Sequence, residues 1–231
     1  MGTFGGPDIP TNGLVLALDA GSTRSYPGTG TTITPLVGSV DGTLLGSVGY
    51  STGSSGVAWF DFDGPTTFDR ISIPDTVTHT TGQSFSYDVW VYFDTLSGYD
   101  KTIVGKVGCN VGLIQAGSSM RFQVYGPGTP CASGNVNYTA VSGTVTGEWQ
   151  YWTGTYEVGV GVALYKNGDL MDSVAYTGNI GNYPTTLFAG GSINANYAMN
   201  GRISAFKSYN KTLTAAEVTQ NFNAQKSRFG L

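Results

Sequence analysis

With 231 residues, a net charge of -4 and only 11% charged against 13% aromatic residues, the chain is sized for one large β domain. It lacks the clustered Lys and Arg that phosphate backbones require, so nucleic acid is excluded as a partner, and no run of 18 apolar residues offers a membrane-spanning helix. The 35 glycines point to short strands and tight turns and exclude a helical bundle.

Residues 1–12, beginning MGTFGGPDIP, read as an arm, and residues 13–231 as a single domain. The start has neither the basic residues nor the apolar core of a secretory leader, so the expectation is a protein made in a cytoplasm that reaches the outside by lysis. GLVLALDA (13–20) is an apolar run of strand length. Short strands follow in TTITPLV and TLLGSVGY, then VAWFDFDG (57–64) and FDRISIPD (68–75). SFSYDVWVYF (84–93) alternates Phe85, Tyr87, Val89, Val91 and Phe93 with Ser86, Asp88, Trp90 and Tyr92. Both of its faces carry large groups, which predicts a central strand. KTIVGKVG, VGLIQAG and MRFQVYG continue as a meander, and GEWQYWTGTYE and VGVALYKNGDLMDSVAY add further strands. Asn167-Gly168 predicts a two-residue hairpin turn, because both central positions of a type I′ turn need positive φ. TTLFAGGS and MNGRISAFKSYN (199–210) are the last strands.

The ending obeys different rules. Thr214 and Glu217 form a capping box, Leu213 and Val218 occupy the staple positions, and a helix is predicted over about 215–225 with Val218 and Phe222 as anchors. Beyond it KSRFGL shows no core-facing period and is basic, so Lys207, Lys211, Lys226, Arg228 and Phe229 are read as a partner-docking end.

In order, GLVLALDAGSTRSYPGTGTT (13–32), WFDFDG with ISIPD, SFSYDVWVYF, EWQYWTGTYE, LYKNGDLMDS and MNGRISAFKSYNKTLTAAEVTQNFNAQKSRFG resemble the laminin-G-like members of the concanavalin A-like lectin/glucanase superfamily. The similarity is strongest to the copies found in bacteriophage structural proteins. Region 35–58 departs from the family pattern. The resemblance implies an all-β fold, a two-sheet antiparallel jelly-roll sandwich with one short C-terminal helix. It also implies a virion structural protein of a tailed phage, a capsid decoration protein whose partner is the major capsid protein or another virion protein, with a homo-oligomer, a trimer by analogy.

The chemistry is sparse. Glucanases of the superfamily need alternating carboxylates on one strand face, whereas Glu148, Glu157 and Glu217 stand apart, so the chain reads as a non-enzyme. No cofactor is called for, apart from calcium, for which Asp61, Asp63 and Asp69 are the candidate ligands. The alternative function is glycan binding, in tail-fibre or host-surface adhesion, through Tyr99, Tyr138, Tyr183 and Tyr197, which are assigned to loops where a ring can stack on a pyranose. Cys109 and Cys131 stay open between a disulfide and two free thiols.

Overall fold

The computed structural model describes residues 8–53, 56–74, 81–106, 111–126, 136–182 and 185–231. Cys109, Cys131 and Tyr183 therefore lie outside the described residues. Within them the chain forms two eight-stranded antiparallel sheets. The first runs β14 (Asp169–Ala175), β13 (Gly161–Lys166), β12 (Trp149–Glu157), β7 (Phe85–Phe93), β16 (Asn200–Tyr209), β5 (Ala58–Asp63), β4 (Gly49–Thr52), and β1 (Leu14–Asp19) also pairs with β16. The second runs β11 (Val136–Ser142), β10 (Ser119–Tyr125), β9 (Val111–Ala116), β8 (Lys101–Lys106), β15 (Leu187–Ala189), β6 (Arg70–Ile73), β3 (Gly42–Leu45), β2 (Thr32–Ile33). The fold is the expected concanavalin A-like jelly-roll sandwich.

Period-two alternation decides which side chains fill the space between the sheets. From β7 it sends Phe85, Tyr87, Val89, Val91 and Phe93 inward, where they meet Phe122 and Leu113 of the opposite sheet and Trp152 and Tyr156 of β12 in one buried core. Gly154 shows how closely the layers approach: a Cβ there would sit 2.0 Å from the Phe122 ring. β7 is central, as its two apolar faces predicted, with β12 on one side and β16 on the other.

Its outer face carries Ser86, Asp88, Trp90 and Tyr92, and the C-terminal segment covers most of it. The Ser86 hydroxyl donates to the Lys211 carbonyl and accepts from the Leu213 N–H, both at 2.9 Å, which fixes the entry to helix α1 (Ala215–Gln225). The capping box forms as predicted, with the Glu217 N–H donating to the Thr214 hydroxyl at 3.3 Å and the Thr214 N–H to the Glu217 carboxylate at 2.9 Å. Leu213 and Val218 are buried with Tyr165 and Tyr209, and Phe222 lies against Trp90 and Tyr151. Asn167 and Gly168 both adopt positive φ, 53° and 92°, as a type I′ turn requires. The turn also braces the helix, since the Gly168 carbonyl accepts the Thr219 hydroxyl at 3.1 Å. From the N-terminal arm, Pro10 is buried and the Asp8 carbonyl accepts the Gln220 side chain, so residues 8–12 lie against the body of the protein.

The expectation of a free basic ending is corrected here. After α1 the chain makes a 3₁₀ turn, Lys226–Phe229, that folds back on the first sheet. Phe229 stacks on Trp90 with ring centroids 3.9 Å apart. Arg228 pairs with Asp19 at 2.7 Å and donates to the Ser204 hydroxyl at 2.8 Å. Lys211 pairs with Glu217 at 2.6 Å, Lys207 is buried against Asp88 at 2.9 Å, and the Lys226 ammonium sits 5.4 Å from the centre of the Phe222 ring. The five residues hold the molecule's own outer layer. Sequence reasoning missed this because the outer face of β7 offers aromatic rings that a short, aperiodic segment can cover without a repeat of its own.

Candidate functional site

At one end of the sandwich three connections converge: the 3₁₀ turn Gly64–Thr66 after β5, residues 94–100 between β7 and β8, and the 3₁₀ turn Ala195–Tyr197 before β16. Each is shaped by local chemistry. Gly64 has a φ of 82°, a region that favours glycine, and Pro65 opens the first turn. Asn194 caps the third, its side-chain oxygen accepting the Asn196 N–H at 2.9 Å.

Between them lies an open groove of about 770 Å³ lined by Pro65, Ser97, Tyr99, Asp100, Lys101 and Tyr197, with Gly98 and Asn196. A second hollow of about 270 Å³ continues from it past Leu96, Gln115 and Asn200, sharing Pro65, Ser97 and Lys101. Tyr99 is 81% exposed and Tyr197 partly buried, and both line this space. Polar groups surround them. The Lys101 ammonium donates to the Asn196 carbonyl at 2.6 Å, and Gln115 donates to the Ser97 carbonyl at 3.0 Å, holding the walls in place. Burial pulls the Lys101 pKa below the ordinary lysine value.

The predicted aromatic set divides. Tyr99 and Tyr197 share the groove. Tyr138 is in no loop: it belongs to edge strand β11, 45% exposed, with the Arg121 guanidinium 4.9 Å from its ring centre. Arg121 in turn pairs with Asp100 at 3.1 Å, so Tyr138 connects to the groove through two charged side chains. Tyr138 was assigned to a loop, yet the Tyr-x-Ala and Asn-x-Thr alternation around it was a usable strand signal. Lys101 and Asn196 were also missed. Their meeting brings together the start of β8 and a turn 95 residues further on, for which one sequence holds no signal.

The three acids named for calcium are engaged separately. Asp69 is fully buried, and its carboxylate accepts from the Ser47 N–H, the Asp63 N–H and the Thr67 hydroxyl. Asp61 accepts from the Ser51 hydroxyl and the Trp59 indole, each at 2.7 Å, with Arg202 at 3.7 Å. Asp63 is exposed at the end of β5. A shared ligand set is therefore corrected to a buried turn-holding carboxylate, a surface ion pair and a solvated acid, and among the described residues no three acidic, His or Cys side chains converge.

A second aromatic group, Trp59, Tyr92 and Trp149, lies half-buried on the outer face of the first sheet. Its rings are tilted by 59° and 64°, and the Arg202 guanidinium stands 5.3 Å from the Trp59 ring centre and 4.4 Å from that of Tyr92. A planar ligand finds no open platform there.

Comparison with known proteins agrees with the fold. The fold is similar to the binding domain of Paraclostridial Mosquitocidal Protein 1, with TM-score 0.72 and 17% identity, covering 92% of this chain and 52% of that one. It is similar also to the Botulinum Neurotoxin serotype G binding domain, with TM-score 0.70 and 15% identity over 93% of this chain and 51% of the other. The binding domain of Botulinum Neurotoxin DC follows at TM-score 0.67 and 16% identity, covering 92% and 51%. At such identities the likeness is one of fold, and the chain spans about half the length of each of these structures. No curated protein matches the sequence. Residues 65–219 match the Laminin_G_3 family, and with its two jelly-roll sheets in place the chain belongs to the concanavalin A-like lectin/glucanases superfamily.

Proposed function

We propose that the protein is a non-catalytic glycan-binding module and that the end groove is its binding site. The observation that carries this reading is the meeting of Tyr99 and Tyr197, from separate loops, in one open groove with Asn196, Ser97 and Asp100. A pyranose presents an apolar C–H face and a rim of hydroxyls, and such a groove offers an aromatic surface for the first and amides, hydroxyls and carbonyls for the second. Among the described residues the only carboxylate in the lining is Asp100, which Arg121 holds, and these residues supply no acid pair of the kind a glycosidase uses. Two structures of similar fold support the reading, a botulinum binding domain in complex with SialylT and another with N-acetylneuraminic acid. Nothing in the comparisons supports virion decoration, and the basic ending, one of the features read in its favour, lies folded against Trp90 and Asp19.

Glycan-array screening followed by calorimetry, with and without calcium, tests the assignment. Saturable binding that falls at least about tenfold in Tyr99→Ala and in Tyr197→Ala, with unchanged circular dichroism, is the expected result. Wild-type protein that binds nothing on the array, or two variants that bind as well as wild type, would overturn it.

A further inference from the structure

Lys101 has a charge that the fold does not use up. The residue is 6% exposed, yet among the described residues its ammonium has one hydrogen bond, to the Asn196 carbonyl, and no carboxylate within ion-pair distance. Lys207, equally buried, has Asp88 at 2.9 Å. The nearest acid in sequence, Asp100, is committed to Arg121 at 3.1 Å. An ammonium withdrawn from water is costly unless it is paired, and its three donors need acceptors. Lys101 also lines both the main groove and its extension, and Asn196 takes up one of its three donors.

We propose that the groove selects acidic saccharides: Tyr99 and Tyr197 take the ring face while the Lys101 ammonium receives the carboxylate of a uronic or sialic acid type sugar. The inference rests on the glycan-binding reading and adds the ligand class to it. With the carboxylate in place, the buried positive charge gains a counter-ion in a partly desolvated site, where a charge-assisted hydrogen bond is strongest. A neutral sugar leaves that charge uncompensated.

The test compares probes that share a backbone and differ in charge: 3′-sialyllactose with lactose, and polygalacturonate with its methyl ester, titrated calorimetrically. Wild type is expected to bind the acidic member at least about tenfold tighter, the preference shrinking as salt approaches about 1 M, where the Debye length is about 3 Å. Lys101→Met should bring the two members to parity, and Lys101→Arg should keep the preference. The salt series uses the wild type alone, so a misfolded variant does not remove the test. Equal binding of both members by wild type, or tighter binding of the neutral one, overturns the inference and leaves the glycan module standing. A preference that survives in a folded Lys101→Met protein overturns it too. Binding of neither pair, together with an empty array, overturns the module itself.

Discussion

Lys207 and Asp88 face each other under helix α1, and the pair illustrates what a buried charge requires. Gln225 accepts from Lys207 at 3.2 Å, and Asn221 donates to the other Asp88 oxygen at 3.2 Å and to the Tyr209 hydroxyl at 3.0 Å. Burial pushes the Asp88 carboxyl above its ordinary pKa, and the Lys207 charge pulls in the opposite direction without prevailing. Lys207→Met should cost about 3–5 kcal/mol in urea denaturation at neutral pH, because Asp88 is left buried without its counter-charge. A carboxyl with a raised folded pKa binds its proton more tightly in the native state, so its contribution to stability is full below the unfolded pKa and is lost as pH rises through the folded value. The gap between wild type and Lys207→Met should therefore narrow on acidification from neutral pH, since a neutral Asp88 needs no counter-charge. A gap that is constant between pH 7 and pH 4 contradicts this account. The sequence placed Lys207 among surface cations because lysines are usually exposed. Its spacing from Ala205 and Tyr209 on β16 was readable, but not the element that would cover that face.

Helix α1 is the element the sequence specified best, through the capping box and the staple. Partial burial pushes Glu217 up, but Lys211 together with the Thr214 N–H and hydroxyl outweighs it, so the carboxyl titrates below its ordinary range. A depressed carboxylate stabilises above its unfolded pKa and loses that contribution as pH falls through the folded one. Glu217→Ala should lower stability by about 1 kcal/mol at pH 7 and by less near pH 3, measured by thermal melts. The 3₁₀ turn after the helix was illegible for the opposite reason. Lys226–Phe229 has no repeat; its position follows from single complementary contacts, Phe229 on Trp90 and Arg228 on Asp19. Phe229→Ala should cost about 3 kcal/mol, as removal of a large buried ring does, while leaving sugar binding at the groove, which Phe229 does not line, unchanged. A neutral effect on urea stability would mean that the stacking contributes nothing.

Across the whole molecule, alternation made the sandwich legible, because a residue's face follows from its parity in the strand, and most strands were located that way. The groove at the sandwich end was only half legible. Tyr99 and Tyr197 could be picked out as loop aromatics, but Tyr138 was placed in the wrong kind of element, and the partnership of Lys101 with Asn196 belongs to tertiary structure alone. The same tertiary organisation joins the two ends of the fold. β1 pairs with β16, Arg228 holds Asp19, and Gln220 reaches Asp8. Contacts this distant in sequence must close long loops before any stabilisation returns, a topology associated with slow folding. During synthesis, Trp90 and its neighbours on the central strand stay bare until residues 200–229 have been made, more than a hundred residues later. The covering layer is thus also a timing device: a nascent chain passes through a period with an uncovered aromatic sheet face, and that interval is where chaperones would matter most.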